Sequence, residues 1–534
     1  MQRLYQFSTN FIQVIALIST GFLFLGSFLF TCYATDMTTQ KVLTRSDNPL
    51  VNLLGMGIFA LVLFLVYRTA LKHSTKCKTA LLVLTMGWIL ILGGLLILFG
   101  RTAPAADAWS VYSAAQALAE GNTSVIHPTD SYLSYYPQQI GLLAFWEPLI
   151  RLWNLLPIDL EAYHFIKCIY VVFVCVIVWF QYKSVHLATG SDTADCVYLI
   201  LAGANLPLIM YSSFVYSEIP SFVAMSVGIY FFLRMLNSKS DTATVSTPSR
   251  LRLRSAVLSL LCFTLAVMLR KNSLILIIAL VLVTLLESLS RRSIKLLLYG
   301  ALCIALSVTI LPATQKIYEL RAGNYLKTGV PAMSYFAMGM QESSRGNGWY
   351  NGFNFNTYQE SGMDSEVTVQ ISRDYITERR AFFREHPDYA ASFYFYKFLS
   401  QWADGTYASR QATLATLGER HAFVREIYDG TYSPYYIGYC NIYQSILYLG
   451  SFLCFLHLWM AKSPKRHCLY LYLGIIGAFG GFLFHMIWEA NSRYIFLYSL
   501  LLLPYAAAGL SALFRYMDLL FGPLWDKTRE KPAI

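Results

Sequence analysis

Long apolar stretches separated by short polar connections recur along most of the chain. Residues 11–31 and residues 79–100 are two of them, and each exceeds the roughly 18 residues that a helix needs to cross a membrane. The stretch at 11–31 is longer than the apolar core of a signal peptide and lacks a small-residue cleavage pattern, so we interpret it as a membrane anchor. The pattern predicts an all-α polytopic membrane protein with about twelve transmembrane helices.

Basic residues indicate which connections face the cytoplasm, because Lys and Arg accumulate on that side. They cluster at residues 68–78, 239–254, 291–295, 462–466 and 527–531. With these connections inside, both termini are predicted to be cytoplasmic, and the segment after residue 100 emerges on the outer face.

One apolar stretch, residues 139–156, does not fit a transmembrane helix. It contains Glu147, Pro148 and Arg151, and charged side chains are costly at the middle of a bilayer. A crossing here would also leave the basic connection at 239–254 on the outer side. We therefore predict a juxtamembrane helix that lies at the outer surface.

Four regions follow from this topology. Residues 1–78 hold two N-terminal transmembrane helices, and residues 79–312 form a transmembrane core with an outer loop at 101–160. Residues 313–435 are rich in Tyr, Phe, Gly and Asn and are predicted to form an extracytoplasmic loop domain. Residues 436–534 hold the C-terminal transmembrane helices and a basic cytoplasmic tail.

Composition excludes several classes of function. The formal net charge is +11, but the basic residues lie in membrane connections, so no nucleic-acid partner is expected. Most of the ten cysteines lie inside apolar runs and no Cys-x-x-Cys pair occurs, so no zinc or redox site is predicted. The nine histidines show no HExxH spacing. No metal ligands are assigned, and a divalent cation held by Asp or Glu is left open as a cofactor.

Two carboxylates stand out in the polar segments predicted to be outer. Asp107 begins the short amphipathic segment "DAWSVYSAAQALAEG", and Glu218 lies in "VYSEIP" between two apolar runs. Acids at helix starts are favoured by the helix dipole, which is a structural explanation for both. The functional alternative is that both carboxylates face one cavity.

Three cations occur on the same predicted side. Arg270 and Lys271 interrupt an otherwise continuous apolar stretch, and Arg493 follows Glu489 by four residues. They could bind lipid headgroups, or pair along a helix as Glu489 and Arg493 would at this spacing. We favour a site for a donor phosphate, because guanidinium groups bind two phosphate oxygens at once.

Aromatic residues in the outer segments are candidates for stacking on an acceptor or on a sugar. Tyr135 and Tyr136 lie in "YLSYYPQQIG", and Trp349 and Tyr350 lie in the glycine-rich "GNGWYNGFN". The same residues suit a membrane-interface belt or a packed loop. Further along, residues 393–410 are expected to lie as an amphipathic helix on the membrane and then to turn.

The order of these motifs resembles that of the GT-C superfamily of multi-spanning glycosyltransferases, in particular the branch of protein O-mannosyltransferases and bacterial lipid A aminoarabinose transferases. The matching pieces are Asp107 with "A-x-x-L-x-x-G" after it, Tyr136-Pro137, "S-E-x-P" at 217–220, "L-R-K-N-S" at 269–273 and "E-x-x-S-R-Y" at 489–494. Members of that branch often carry an acidic pair in the first loop, where this chain has Asp107 between two alanines. The two N-terminal helices are additional to the usual core.

The resemblance implies an inverting enzyme that moves one sugar from a polyprenyl phosphate to a glycan, lipid or protein acceptor on the outer face of the cell membrane. It also implies that Asp107 is the catalytic base, that Glu218 assists it, and that Arg270, Lys271 and Arg493 bind the donor phosphate. Two rivals stay open: a polysaccharide polymerase or ligase that uses diphosphate-linked lipids, and a flippase or transporter of lipid-linked sugars. A transporter would place its ionisable residues near the middle of the membrane, whereas this sequence gathers them at one side.

Overall fold

The computed structural model describes residues 2–35, 40–237, 249–414, 420–461 and 468–525, and these are almost entirely helical. The predicted cytoplasmic cations Lys239, Lys462, Lys465 and Arg466, and those of the tail at 527–531, lie outside the described residues.

The N-terminal third begins with two long helices joined by a β-hairpin. Its elements are α1 (Gln2–Leu29), β1 (Phe30–Ala34), β2 (Val42–Ser46), α2 (Pro49–Lys72) and α3 (Ser74–Gly100). The two strands are antiparallel, with Cys32 opposite Thr44. Three short helices follow: α4 (Asp107–Ala119), α5 (Tyr132–Tyr135) and α6 (Ile140–Asn154).

In the described central part, five helices are long and two, the second and third, are short. They are α7 (Ala162–Thr189), α8 (Asp192–Ala204), α9 (Leu206–Met210), α10 (Glu218–Asn237), α11 (Ser249–Leu269), α12 (Leu274–Arg291) and α13 (Ile294–Ala322). A single 3-10 turn, Lys271–Ser273, joins α11 to α12.

Shorter helices come next: α14 (Ala332–Gly339), α15 (Phe353–Glu360), α16 (Ser365–Glu385), α17 (Pro387–Trp402), α18 (Ser409–Leu414) and α19 (Ala422–Tyr428). The chain ends with α20 (Ser433–Met460), α21 (Leu473–Ile487) and α22 (Ser492–Trp525).

The predicted number of about twelve transmembrane helices is confirmed. In the described part of the chain, 11 helices are long and apolar enough to cross a membrane. The pair α8 and α9 makes up to 12, because together they pass the same test with a bend of 55° between them. Asn205 forms that bend, and its side chain accepts a hydrogen bond from the Leu208 backbone N–H, which begins the second helix.

Residues 139–156 do not form a helix of transmembrane length, as predicted, since α6 has 15 residues and is too short to cross a bilayer; its location at the outer surface stays a prediction. The carboxylate of Glu147 is buried and accepts hydrogen bonds from Arg151, Arg321 and Tyr318. Arg321 belongs to the last turn of α13, which continues past the predicted domain boundary at residue 313.

Residues 393–410 form a helix followed by a turn, as expected, with one face of the helix buried and Phe395 and Tyr396 exposed on another; its placement on a membrane surface stays a prediction. Their helical part is the C-terminal half of α17, and its last residue, Trp402, is fully buried. The Cys32 backbone N–H of β1 donates to the Ala403 carbonyl at 2.9 Å, so the N-terminal hairpin covers this segment. The turn at Asp404 is likewise buried inside the protein.

Close backbone contact positions the turn that carries Arg270. At Gly141, the second residue of α6, an added Cβ would lie 1.9 Å from the Met268 carbonyl oxygen of α11. Only glycine allows α6 to approach the end of α11 this closely. The juxtamembrane helix therefore supports the α11–α12 turn directly.

Candidate functional site

Asp107 is the first residue of α4 and its side chain is exposed. The residue before it, Ala106, has φ 48 and ψ −128, which is a rare backbone conformation for a residue other than glycine. Such strain is concentrated at functional sites, where surrounding structure holds it in place. Ala108, Val111 and Ala115 of the same helix are buried, so α4 is fixed against the protein while Asp107 stays accessible.

Tyrosine side chains from two other segments, one at Tyr132 and Tyr136 and one at Tyr350, lie within the electrostatic range of Asp107. Burial raises the pKa of Tyr132 and of Tyr136, and the negative charge of Asp107 adds to both shifts. The same two causes, in the same order, raise the pKa of Tyr350. Of the predicted stacking residues, Tyr136 and Tyr350 therefore belong to the Asp107 site.

Glu489 is a second carboxylate at this site. Burial raises its pKa to about 7, Arg493 and Tyr494 oppose the rise, and the charge of Asp107 adds to it. The alternative that Glu489 and Arg493 pair along one helix does not apply, because α21 ends at Ile487 and α22 begins at Ser492. Glu489 lies in the break between them and accepts a hydrogen bond from the Tyr494 hydroxyl at 3.3 Å.

Glu218 lies between two guanidinium groups. Its Oε1 accepts a hydrogen bond from Arg270 Nη1 at 2.6 Å and lies 3.6 Å from Arg493 Nε. Arg270 also donates to the Ser217 hydroxyl at 3.1 Å. Glu218 is only 1% exposed, and its other oxygen, Oε2, has no partner among the described residues. We call Arg270, Glu218 and Arg493 the arginine–glutamate cluster.

Two tyrosine rings connect this cluster to Asp107. The Arg493 guanidinium lies 5.4 Å from the ring centre of Tyr216 and 5.5 Å from that of Tyr494, and Arg270 lies 6.0 Å from Tyr494. Burial and then Asp107 raise the pKa of Tyr216, whereas the positive charges of Arg493 and Arg270 lower it. Residues far apart in the sequence thus meet at one end of the helices.

The remaining predicted residues lie elsewhere. Lys271 is exposed on the turn after Arg270. Tyr135 packs against Phe355, with ring centres 4.7 Å apart. Trp349 is 3% exposed and its indole N–H donates to the Ser400 hydroxyl at 2.9 Å, so it packs the loop and is not available for stacking on a ligand.

Two functional candidates escaped the sequence analysis. The Arg345 guanidinium lies 5.2 Å from the ring centre of Tyr350, and its charge opposes the rise in the pKa of Glu489. Lys397 is fully buried and donates to the carbonyls of Gly339 at 2.5 Å and Trp488 at 2.8 Å, directly before Glu489. In the sequence each of them is only a charge within an aromatic segment. The two carbonyl groups to which Lys397 donates are 58 and 91 positions away from it in the chain.

A group with the donor atoms of a metal site occurs at the other end of α7. In the part of the chain that the structure describes, ligand atoms of His186, Asp192 and Asp195 all lie within 4.8 Å of one another. Lys78 forms a salt bridge with Asp192 and lies 3.9 Å from Asp195, so a cation already balances these acids. The length of α7 separates this group from the Asp107 segment by about 40 Å.

Comparisons with known proteins give a limited likeness. No protein-family model matches the sequence, and no curated protein matches it. Two solved structures of the oligosaccharyltransferase from Archaeoglobus fulgidus are similar. One is AglB in complex with an inhibitory peptide and a dolichol-phosphate, at 12% identity and a TM-score of 0.45 over 86% of this chain. The other is the apo form, at 12% identity and 0.46 over 85%. This chain spans about half their length, 52% and 53% respectively.

Proposed function

We propose that the protein is a membrane glycosyltransferase of GT-C type that moves a single sugar from a polyprenyl-phosphate donor to an acceptor hydroxyl on the outer face of the cell membrane. One observation carries the proposal: Tyr216 lies 5.4 Å from the Arg493 guanidinium, which shares Glu218 with Arg270, and the same tyrosine is within electrostatic range of Asp107. A base and a set of cations in one site are what this reaction requires, because a hydroxyl must lose a proton while a phosphate leaves.

Asp107 is the base of the proposed reaction. The acceptor oxygen attacks the anomeric carbon and forms the new C–O bond, and its proton passes to the Asp107 carboxylate. The bond between the anomeric carbon and the phosphate oxygen breaks, and the phosphate keeps the electron pair. Attack from the side opposite to the leaving phosphate inverts the anomeric centre. The exposure of Asp107 supports this role, since an acceptor can reach it.

Arg270 and Arg493 receive the developing charge of the phosphate. Phosphate is a good leaving group when cations are already in place, so no separate acid is needed. Glu218 contacts both guanidinium groups through one carboxylate oxygen, which supports a positioning role for it. The carboxylate that accompanies Asp107 is then Glu489, and it orients the acceptor together with Tyr136 and Tyr350.

The first test is the Asp107→Asn variant in membranes, with a panel of short-chain polyprenyl-phosphate hexoses as donors. We expect release of polyprenyl phosphate to fall by roughly 10²–10⁴-fold, the usual contribution of a general base. Asp130→Asn is the matched control, because Asp130 is an exposed acid of the same segment. A rate for Asp107→Asn close to that of the control would remove Asp107 from the mechanism.

The second test concerns the phosphate. We expect farnesyl phosphate to bind the purified protein, Arg270→Ala to weaken this binding roughly tenfold or more, and uncharged farnesol to bind both forms alike. Lys316→Ala serves as a control, since Lys316 is an exposed cation. Equal affinities of wild type and Arg270→Ala for farnesyl phosphate would contradict the phosphate site.

The same binding assay distinguishes the proposed transferase from the rival polymerase or ligase. A polymerase or ligase that acts on diphosphate-linked lipids should prefer farnesyl diphosphate strongly over the monophosphate. A flippase would bind lipid but release no polyprenyl phosphate from the donor panel in the presence of acceptors. Loss of turnover in Asp107→Asn with unchanged binding of farnesyl phosphate is the pattern that only a transferase predicts.

A further inference from the structure

A polar cavity is formed by the part of the chain that follows α13 and precedes α20, and it lies outside the arginine–glutamate cluster. Its volume is about 610 Å³, which is in the range of small-molecule sites. Side chains that line it come from the loop before α15, from α15 and from α16. Those that bear on its chemistry are Gln341, Asn351, Phe353, Asn356, Thr357 and Glu360.

The cavity presents hydrogen-bonding groups without using all of them internally. Gln341 is 7% exposed, and its Oε1 accepts a hydrogen bond from Asn351 Nδ2 at 2.6 Å. Its Nε2 has no partner among the described residues, although such buried donors are normally paired. The Nε2 atom itself is buried, so the amide groups of the wall that a ligand can reach are those of Asn351 and Asn356, whose side chains are exposed.

Apolar surface accompanies these polar groups. Phe353 lines the cavity beside Val367 and Ile371 of α16, and the last two are 47% and 43% exposed. Amides and hydroxyls next to an aromatic and aliphatic wall match a sugar ring, which has hydroxyls at its edge and C–H groups on its faces.

The charge of the cavity indicates a neutral ligand. Among its described lining residues Glu360 is the one charged group, and no Lys, Arg or His contributes. An anion such as a phosphate or an acidic glycan would meet an uncompensated carboxylate. Sugar hydroxyls, by contrast, can donate to it.

The loop that borders the cavity also carries a residue of the Asp107 site. The Gly348 backbone N–H donates to the Gln341 carbonyl at 2.7 Å, and the Gly348 carbonyl accepts from Ala490, next to Glu489. Gly348 has φ 73, and an added Cβ would lie 2.8 Å from the Gly339 carbonyl oxygen. Tyr350 follows two residues later. The loop around Gly348 therefore joins the cavity to the transfer site, and backbone hydrogen bonds hold it on both sides.

We infer that this cavity is a binding subsite for a neutral oligosaccharide, which holds part of a glycan acceptor while its terminal hydroxyl reaches Asp107. The assignment of the glycan as acceptor depends on the proposed transferase function. Binding of a neutral oligosaccharide to the cavity does not, and it can be measured separately.

The test is a glycan microarray probed with the full-length protein in nanodiscs. The array carries neutral oligosaccharides of glucose, galactose, mannose and N-acetylglucosamine, and matched glycans that bear phosphate, sulfate or sialic acid. We expect binding to neutral glycans alone. Asn356→Leu and the isosteric Thr357→Val should each weaken it roughly three- to tenfold, the effect of losing one neutral hydrogen bond.

Gln359→Leu is the matched control, because Gln359 is exposed on α15 but does not line the cavity. The array contains no donor lipid and reports binding without turnover, so a failure of the transferase proposal is read from the turnover assay and not from this one. Absence of binding to every neutral glycan, binding to anionic glycans alone, or unchanged binding by both cavity variants would overturn the inference.

Discussion

Glu489 shows how burial changes the behaviour of a single residue. The side chain is 5% exposed in a break between two helices, and burial raises its pKa to about 7. Asp107 faces the same group of tyrosines but is exposed. Two carboxylates in one site with different environments are suited to different roles, one as a base and one as a hydrogen-bonding group that can carry a proton.

The raised pKa of Glu489 predicts a pH-dependent stability. The folded protein binds more protons than the unfolded chain between about pH 4.5 and 7, so this group's stabilising effect is complete below that window and is lost as pH rises through it. Glu489→Gln has no such loss. We expect the unfolding temperature of Glu489→Gln minus that of wild type to increase from pH 5 to pH 8. The increase should be equivalent to roughly 3 kcal/mol at most.

Thermal unfolding of the purified protein in detergent, followed by tryptophan fluorescence, measures this effect. Glu120→Gln, an exposed acid of the same predicted side, is the control and should follow wild type at each pH. A difference between Glu489→Gln and wild type that stays constant from pH 5 to pH 8 would show that Glu489 does not titrate in this range.

Helix ends assemble the site at the scale of elements. Glu218 begins α10, Arg270 precedes the turn into α12, and Arg493 is in the first turn of α22. Each is a short break in an apolar run, and the breaks meet because the helices are adjacent. A buried cluster of this kind contributes more to the positions of its groups than to net stability, since desolvation offsets much of the attraction between the charges.

The contact of α6 with α11 gives a prediction at this scale. Gly141→Ala would place a methyl group 1.9 Å from the Met268 carbonyl oxygen, so α6 or the end of α11 must move. We expect a loss of about 1–3 kcal/mol in stability and weaker binding of farnesyl phosphate, because Arg270 follows Met268 by two residues.

Gly87→Ala in α3 is the matched control for this substitution. No heavy atom outside its own helix backbone lies within 4 Å of a Cβ added there, so alanine should leave the unfolding temperature unchanged or raise it slightly. If Gly141→Ala proved as stable as Gly87→Ala and bound farnesyl phosphate like wild type, the support of Arg270 by α6 would be disproved.

The whole molecule has two ends with different chemistry. Asp107, Glu489 and the arginine–glutamate cluster lie at one end, whereas Lys78, Asp192 and Asp195 lie at the other end of α7. The positive-inside pattern predicts that the first end is outside the cell. That orientation is required for transfer to a cell-surface acceptor.

Cysteine labelling tests the orientation. In a background without the native cysteines, Ser124→Cys near α4 should react with a membrane-impermeant maleimide on intact cells. Lys76→Cys, in the first turn of α3 next to the α2–α3 connection, should react only after permeabilisation. Both positions are exposed, so accessibility in the folded protein does not limit either reaction. Labelling of Lys76→Cys on intact cells, or of both positions alike, would refute the proposed topology.

The sequence by itself determined the class of the fold. Apolar runs of membrane length predict about twelve transmembrane helices, and the charges at 147 and 151 set one shorter run apart; the structure agrees with both. These features could be predicted because a bilayer imposes length and polarity on each segment separately. The same local reasoning singled out Asp107, Glu218 and Arg270, since charges next to apolar runs are rare.

Only the tertiary structure decided how these residues are grouped. Glu218 pairs with arginines 52 and 275 positions away, and the buried carboxylate whose pKa the charge of Asp107 helps to raise is Glu489. The same structure buries Trp349 and joins the loop around Gly348 to the break before α22. Contacts of this range depend on which helices are neighbours and how they cross, and no local pattern of hydrophobic and polar residues contains that information.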